Sequence, residues 1–148
     1  MKVYRDCISG IPPFDAPAFF TIFNSSGTVI RTLSVPLTSS LTVPPTNNSP
    51  CAPTSAGVAC VEEGYYETIV NLAPLVGGYY IVYQRCCRNG TIANLISPGN
   101  VGTTYWEHIP GPEIVAVNNS PRFNKRPPIY ICANIPIAFD HSATDPDG

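Results

Sequence analysis

No stretch longer than about ten residues repeats apolar positions at helical spacing without meeting a proline or a glycine, which argues against a helical bundle. The 17 prolines and 11 glycines of the 148 residues instead punctuate short runs rich in β-branched and aromatic side chains. Such runs fall at residues 2–7, 18–23, 28–33, 58–72, 78–87, 103–109 and 129–137, and each reads as a strand. Residues 78–87 carry apolar side chains at both parities and predict a central strand. In residues 63–72 the even positions Tyr66, Thr68, Val70 and Leu72 form one apolar face, and the turn signals Pro74, Gly77 and Gly78 predict a hairpin joining this run to the next. Residues 34–57 are rich in Pro, Ser, Thr and Asn and predict a surface excursion that cannot sit as a central strand. A helical turn fits at residues 91–95. The expected fold is all-β: an antiparallel immunoglobulin-like β-sandwich, disulfide-stapled, with little helix, formed by residues 1–139 as a single domain.

Six cysteines, Cys7, Cys51, Cys60, Cys86, Cys87 and Cys132, stand in a chain with only two histidines, and none forms a C-x-x-C pair. Zinc ribbons and thioredoxin-type redox sites both need that spacing. Three disulfides in an oxidising compartment are therefore expected, with buried free thiols as the alternative. Cys51 and Cys60 bracket a loop of small residues and predict a local bridge. Cys86 and Cys87, if they end a strand, point to opposite faces and predict bonds to different partners, with Cys7 and Cys132 available in either order.

The charge balance excludes further classes. Charged residues make up 12% of the chain and the net charge is -2, against about 25% charged residues in ordinary soluble domains. A phosphate backbone or an anionic bilayer finds no basic footprint here, so neither nucleic acid nor membrane insertion is expected. The first residues already read as a strand, and residues 140–148 as an acidic linker or the start of a following repeat. Within it Asp145-Pro146-Asp147-Gly148 sets two carboxylates around a turn, and with Asp140 this suggests calcium at a C-terminal junction.

Catalytic signatures are absent from the sequence: there is no G-x-S-x-G, H-E-x-x-H, P-loop or G-x-G-x-x-G. Glu62, Glu63, Glu67, Glu107 and Glu113 could supply a carboxylate pair for glycoside hydrolysis, but any chain with ten acids meets that condition. No enzymatic activity is expected. Aromatic faces bind the apolar side of pyranose rings, and Tyr65, Tyr66, Tyr79, Tyr80, Tyr105 and Trp106 are the available rings. Tyr79, Tyr105 and Trp106 are the candidates for a glycan-binding surface, with cross-strand packing as the competing use of the same residues. Asn24-Ser25-Ser26, Asn47-Asn48-Ser49, Asn89-Gly90-Thr91 and Asn118-Asn119-Ser120 match the N-glycosylation pattern, as an Asn- and Ser-rich chain does by chance.

An ordered set of motifs runs through nearly the whole chain. Val3-Tyr4-Arg5-Asp6-Cys7, Ile11-Pro12-Pro13-Phe14-Asp15-Ala16-Pro17-Ala18, Tyr83-Gln84-Arg85-Cys86-Cys87-Arg88-Asn89, Asn119-Ser120-Pro121-Arg122-Phe123, Pro127-Pro128-Ile129 to Cys132-Ala133-Asn134 and Phe139-Asp140-His141-Ser142-Ala143-Thr144-Asp145-Pro146-Asp147-Gly148 occur in that order. This set resembles a module of very large secreted cell-surface proteins of Bacteroidota, gliding-motility-associated or adhesin-like, which often carry PKD-like repeats and a type IX secretion sorting domain. The chain departs from that pattern at Val117, near which relatives often have a cysteine. The resemblance implies export to the bacterial cell surface, repetition in tandem and a structural or adhesive role. Like subunits or neighbouring repeats are then the expected partners, with residues 129–139 able to complete a neighbour's sheet by strand addition. A carbohydrate-binding module recognising surface glycans is the alternative.

Overall fold

The computed structural model describes residues 1–8, 12–44, 60–129 and 131–147. Among the described residues nine strands, β1 (Lys2–Asp6), β2 (Ala18–Asn24), β3 (Val29–Val35), β4 (Ser39–Val43), β5 (Val61–Tyr65), β6 (Tyr79–Arg85), β7 (Thr103–Ile109), β8 (Arg122–Phe123) and β9 (Ala143–Thr144), pair antiparallel. The one helical element among the described residues is a 3-10 turn at Pro98–Asn100, beyond the residues 91–95 where a turn of helix was expected. An all-β, antiparallel, disulfide-stapled chain with little helix is the class the sequence predicts. The chain divides into two compact units, each built from separated segments: Met1–Ala16, Leu37–Glu67 and Asn119–Gly148 in the first, Pro17–Pro36 and Thr68–Asn118 in the second.

The first unit holds a three-stranded sheet in the order β1-β5-β4, with a two-stranded β8-β9 ribbon. β5 is central, and Tyr4, Glu63 and Leu41 stand opposite one another across it. Both ends of the β1-β5 ladder are tied. The Met1 amino group donates to the Tyr66 carbonyl at 2.7 Å, and beyond the other end the Cys7 amide donates to the Cys60 carbonyl at 3.1 Å. Gly64 is required at its position: a Cβ there would lie 2.7 Å from the Phe14 ring. The Arg5 guanidinium covers the same ring at 4.5 Å while bonding Glu62, its cross-strand partner, through Nε at 2.9 Å and Nη2 at 2.7 Å. The Phe14 segment is thus fastened by a close backbone approach and a cation held in place by a carboxylate.

The second unit holds a four-stranded sheet in the order β3-β2-β6-β7, so β6 is central as expected. Ala18, Ile22, Val35, Tyr79 and Tyr83 are buried and belong to one face by register. The β2-β3 hairpin is closed by Asn24, whose Oδ1 accepts from the Ser26 amide at 3.1 Å, the Ser26 hydroxyl at 2.8 Å and the Thr28 amide at 2.7 Å, with Gly27 at φ 80 completing the turn. Asn89 accepts from the Thr91 amide and hydroxyl in the same way, both at 3.0 Å. The N-glycosylation patterns at these two places are turn chemistry.

Several expectations are corrected. Cys60 is bonded to Cys7, with Cα atoms 5.1 Å apart, so the local Cys51–Cys60 bridge does not form; Cys51 itself lies outside the described residues. The β1-β5 ladder brings Cys7 and Cys60 together, and that long-range pairing overrides the short loop. Cys86 and Cys87 are bonded to each other rather than to separate partners, across a cis peptide bond. β6 ends at Arg85, so the two cysteines stand outside the ladder and its alternation of faces does not separate them. Cys132 is also disulfide-bonded.

Among its described residues, 60–72, the run at 58–72 is a strand over Val61–Tyr65, and it pairs with β1 and β4 instead of forming a hairpin with β6. Its apolar alternation continues past the point where the chain leaves the first unit, after Glu67. Within residues 34–57 the short strand β4 forms, at the edge of its sheet; residues 45–57 lie outside the described residues. No described residue of 129–137 is in a strand: residues 133 and 134 make a turn, Asn134 adopts φ 60, and Pro136 has no amide to give a ladder.

Candidate ligand-binding face

Strand register decides which aromatic side chains of the second unit meet. Across β2, β6 and β7 the rows run Phe23-Tyr80-His108 and Thr21-Val82-Trp106, followed by the pair Gln84-Thr104. Side chains in one row, and in alternate rows, share a face of the sheet. None of these eight residues is buried, so this is the open face, opposite the one that carries Ala18, Ile22, Tyr79 and Tyr83.

Three rings gather there. Tyr80 stacks on His108 with centroids 4.6 Å apart and leans on Trp106 at 5.7 Å. His108 is fixed from behind by a 3.2 Å contact between its Nε2 and the Gly77 carbonyl. Gly77 in turn donates its amide to Glu113 at 2.7 Å. Next to it, Gly78 at φ 68 passes so close to the Ile109 carbonyl that only glycine fits. Trp106, the one tryptophan in the chain, is 64% exposed. Beside it Gln84 donates to Thr104 at 3.1 Å, leaving a rim of amide and hydroxyl groups.

Of Tyr79, Tyr105 and Trp106, the three put forward for a glycan-binding surface, Trp106 alone lies on this face, and of the other rings named from sequence Tyr80 joins it. Tyr79 is buried on the opposite face, and its hydroxyl donates to the Ala73 carbonyl at 2.7 Å. Tyr105 stacks with Tyr83, at 6.2 Å, on Tyr79's side of the sheet. The signal that selects Tyr80 and His108 in their place is the shared parity of 106 and 108, combined with the β6-β7 register; parity alone is visible in the sequence. A cavity of about 220 Å³ opens elsewhere in the unit, walled by Leu72, Pro74, Leu75, Tyr79, Pro110 and Val115. Its only phenol is already engaged with Ala73.

The three aspartates proposed for calcium take separate partners. Asp140 accepts from the Ser142 amide at 3.0 Å and lies 3.5 Å from Lys125 Nζ, and the Ser142 bonds, aided by Lys125, hold its carboxyl below the ordinary value. Asp147 accepts from the Asn119 amide and side chain, which lower its pKa as well. Asp145 accepts from the Asp147 amide at 3.0 Å. Among the described residues no three His, Cys, Asp or Glu side chains form a group able to hold a metal ion.

The other distinctive charge is Glu63, 4% exposed in the centre of β5. Lys2 Nζ stands 3.2 Å from its Oε1 and Arg126 Nη2 3.2 Å from its Oε2. Burial pushes this carboxyl up, but hydrogen bonds from Tyr4 and Lys2, with the charges of Lys2 and Arg126, outweigh it and hold the pKa below its ordinary value. The same contact and burial raise the Tyr4 phenol, burial being the larger cause. With two cations and a phenol on one acid, the cluster is built for holding β1, β5 and the Arg126 segment together.

No protein-family model matches the chain, and neither does any curated protein or solved structure. Among the described residues no helix is long and apolar enough to cross a membrane.

Proposed function

We propose that the chain is an extracellular structural or adhesive module, a building block of a bacterial cell-surface fibre or adhesin. The observation that carries this reading is covalent. Cys7 is bonded to Cys60, Cys86 to Cys87, Cys132 is bonded as well, and no described cysteine is free. Such a pattern persists in oxidising compartments and is rare where glutathione keeps thiols reduced. A short antiparallel β-framework tied at the ends of its ladders suits a unit held in a chain of like units. The motif resemblance to secreted surface proteins of Bacteroidota points the same way.

Assembly from like subunits has its own support. Ile131, Ile135 and Ile137 are exposed and none is in a strand, so their apolar side chains are available to a like subunit; strand addition there would have to re-form the turn at Asn134 and set Pro136 on the unpaired edge. The test labels intact cells that produce the chain with an antibody raised against it, alongside negative-stain microscopy of the purified chain. Labelling of unbroken cells and loss of the epitope on mild external proteolysis are expected. Labelling that appears only after lysis overturns the surface reading, and particles that stay monomeric at high concentration overturn assembly by strand addition.

A further inference from the structure

We infer that the open face of the β3-β2-β6-β7 sheet binds a neutral glycan, with Trp106 stacking on a pyranose ring and Tyr80 and His108 bracing it. This deepens the adhesive reading above and rests on it for biological context. Phe19, Thr21, Phe23, Ser34 and Thr32 from β2 and β3, and Tyr80, Val82, Gln84, Thr104, Trp106 and His108 from β6 and β7, fall on this face by register. Not one is Asp, Glu, Lys or Arg, whereas the opposite face carries Arg31, Arg85 and Glu107. An uncharged face has nothing to recognise in a phosphate, an acidic polysaccharide or a basic peptide.

What it does offer is an exposed indole beside hydroxyl and amide groups. Phe19, also on this face, is 59% exposed. An apolar protein surface would be met by apolar groups alone, but Thr21, Thr32, Ser34, Gln84 and Thr104 interleave with the rings. A pyranose has both characters at once: a ring of C–H bonds that packs on an aromatic face and equatorial hydroxyls that hydrogen-bond at its edge. Tyr80, stacked on a His108 anchored through Gly77, leans on the indole, and Trp106 remains exposed for a ligand ring.

Trp106 is the only tryptophan, so the intact chain reports on its own site. Its emission is to be titrated with cellohexaose, xylohexaose, mannohexaose and N-acetylchitohexaose, with an oligogalacturonate as the anionic control. At least one neutral oligosaccharide should shift the emission saturably, and the anionic one should not. By calorimetry, Trp106→Ala should weaken that binding about tenfold or more while Trp106→Phe keeps it within about fivefold, both with the wild-type circular dichroism spectrum. The inference is overturned if none of the four neutral sugars moves the emission at millimolar concentration, if the anion binds as well, or if Trp106→Ala binds unchanged. It is equally overturned if the emission depends on protein concentration alone, which would assign the face to a second copy of the chain. Surface labelling of intact cells is independent of all these results, so the glycan site can fail while the extracellular reading stands.

Discussion

Removing both cations around Glu63 should damage the fold more than removing the acid itself. At 3.2 Å from each of Lys2 and Arg126, an effective dielectric of about 20 gives roughly 5 kcal/mol of attraction per pair before any cost is counted. Dehydrating the carboxylate takes back several kcal/mol. Lys2 and Arg126 are themselves about half exposed, so water screens their part of the interaction. Either cation alone keeps the acid paired, and Lys2→Met or Arg126→Met should each cost about 1 kcal/mol. Together they leave a 4% exposed carboxylate unpaired, which should cost about 3–5 kcal/mol, so the two losses are strongly non-additive. Glu63→Gln removes attraction and dehydration together and should cost about 1–2 kcal/mol.

The pH dependence should invert between the forms. In the wild type the lowered Glu63 pKa means stabilisation that is present above the unfolded value of about 4.3 and is lost as pH falls through the folded value. In the double variant only the Tyr4 hydrogen bond still opposes burial, which is the larger cause, so the folded pKa rises and the penalty is felt at neutral pH and relieved on acidification. Urea denaturation by circular dichroism, with amide-exchange protection of β1 and β5, measures both effects. Additive single losses, or a Glu63→Gln variant less stable than the double variant, would refute the reasoning.

Other expectations are simpler. Replacing Cys7 and Cys60 by Ala opens a bridge of sequence separation 53 and should cost about 4 kcal/mol by chain entropy, read as a lowered urea midpoint. The same change at Cys86 and Cys87 should cost far less, because a bridge between neighbours closes no chain. Gly64→Ala drives a methyl into the Phe14 ring and should destabilise by about 1–3 kcal/mol; Phe14→Leu combined with it should recover part of the loss in the same assay. Asn24→Ala removes the acceptor for three donors in the β2-β3 turn and should cost about 1–2 kcal/mol, visible as faster amide exchange in β3.

Local chemistry was well legible. The runs at 2–7, 18–23, 28–33, 78–87 and 103–109 became β1, β2, β3, β6 and β7 within a residue or two, because β-branched and aromatic content, bounded by turn residues, is a local signal. The centrality of β6 was readable from apolar residues at both parities. What depended on distant pairing was not. Nothing near Cys60 says that its neighbour is Cys7; that follows from β5 choosing β1. The candidate face shows the same limit. Trp106 stood out as a residue, but Tyr80 joins it only through the β6-β7 register, and Tyr79 and Tyr105 fall on the wrong side by one position. Residues 129–137 show the reverse error: apolar alternation was present, while Asn134 and Pro136 denied it a ladder.

The chain passes between its two units four times, and this sets an order of events during vectorial emergence from a ribosome or a secretion channel. The second unit is complete once Asn118 is out, whereas the first waits for the residues from Asn119 onward. β1, first to appear, has no partner until β5 arrives some sixty residues later. Cys7 cannot meet Cys60 within that interval, so the timing of their bridge is bound to the timing of the chain's emergence. A single proteolytic cut cannot release either unit as one continuous piece, and neither can be cloned as a simple truncation.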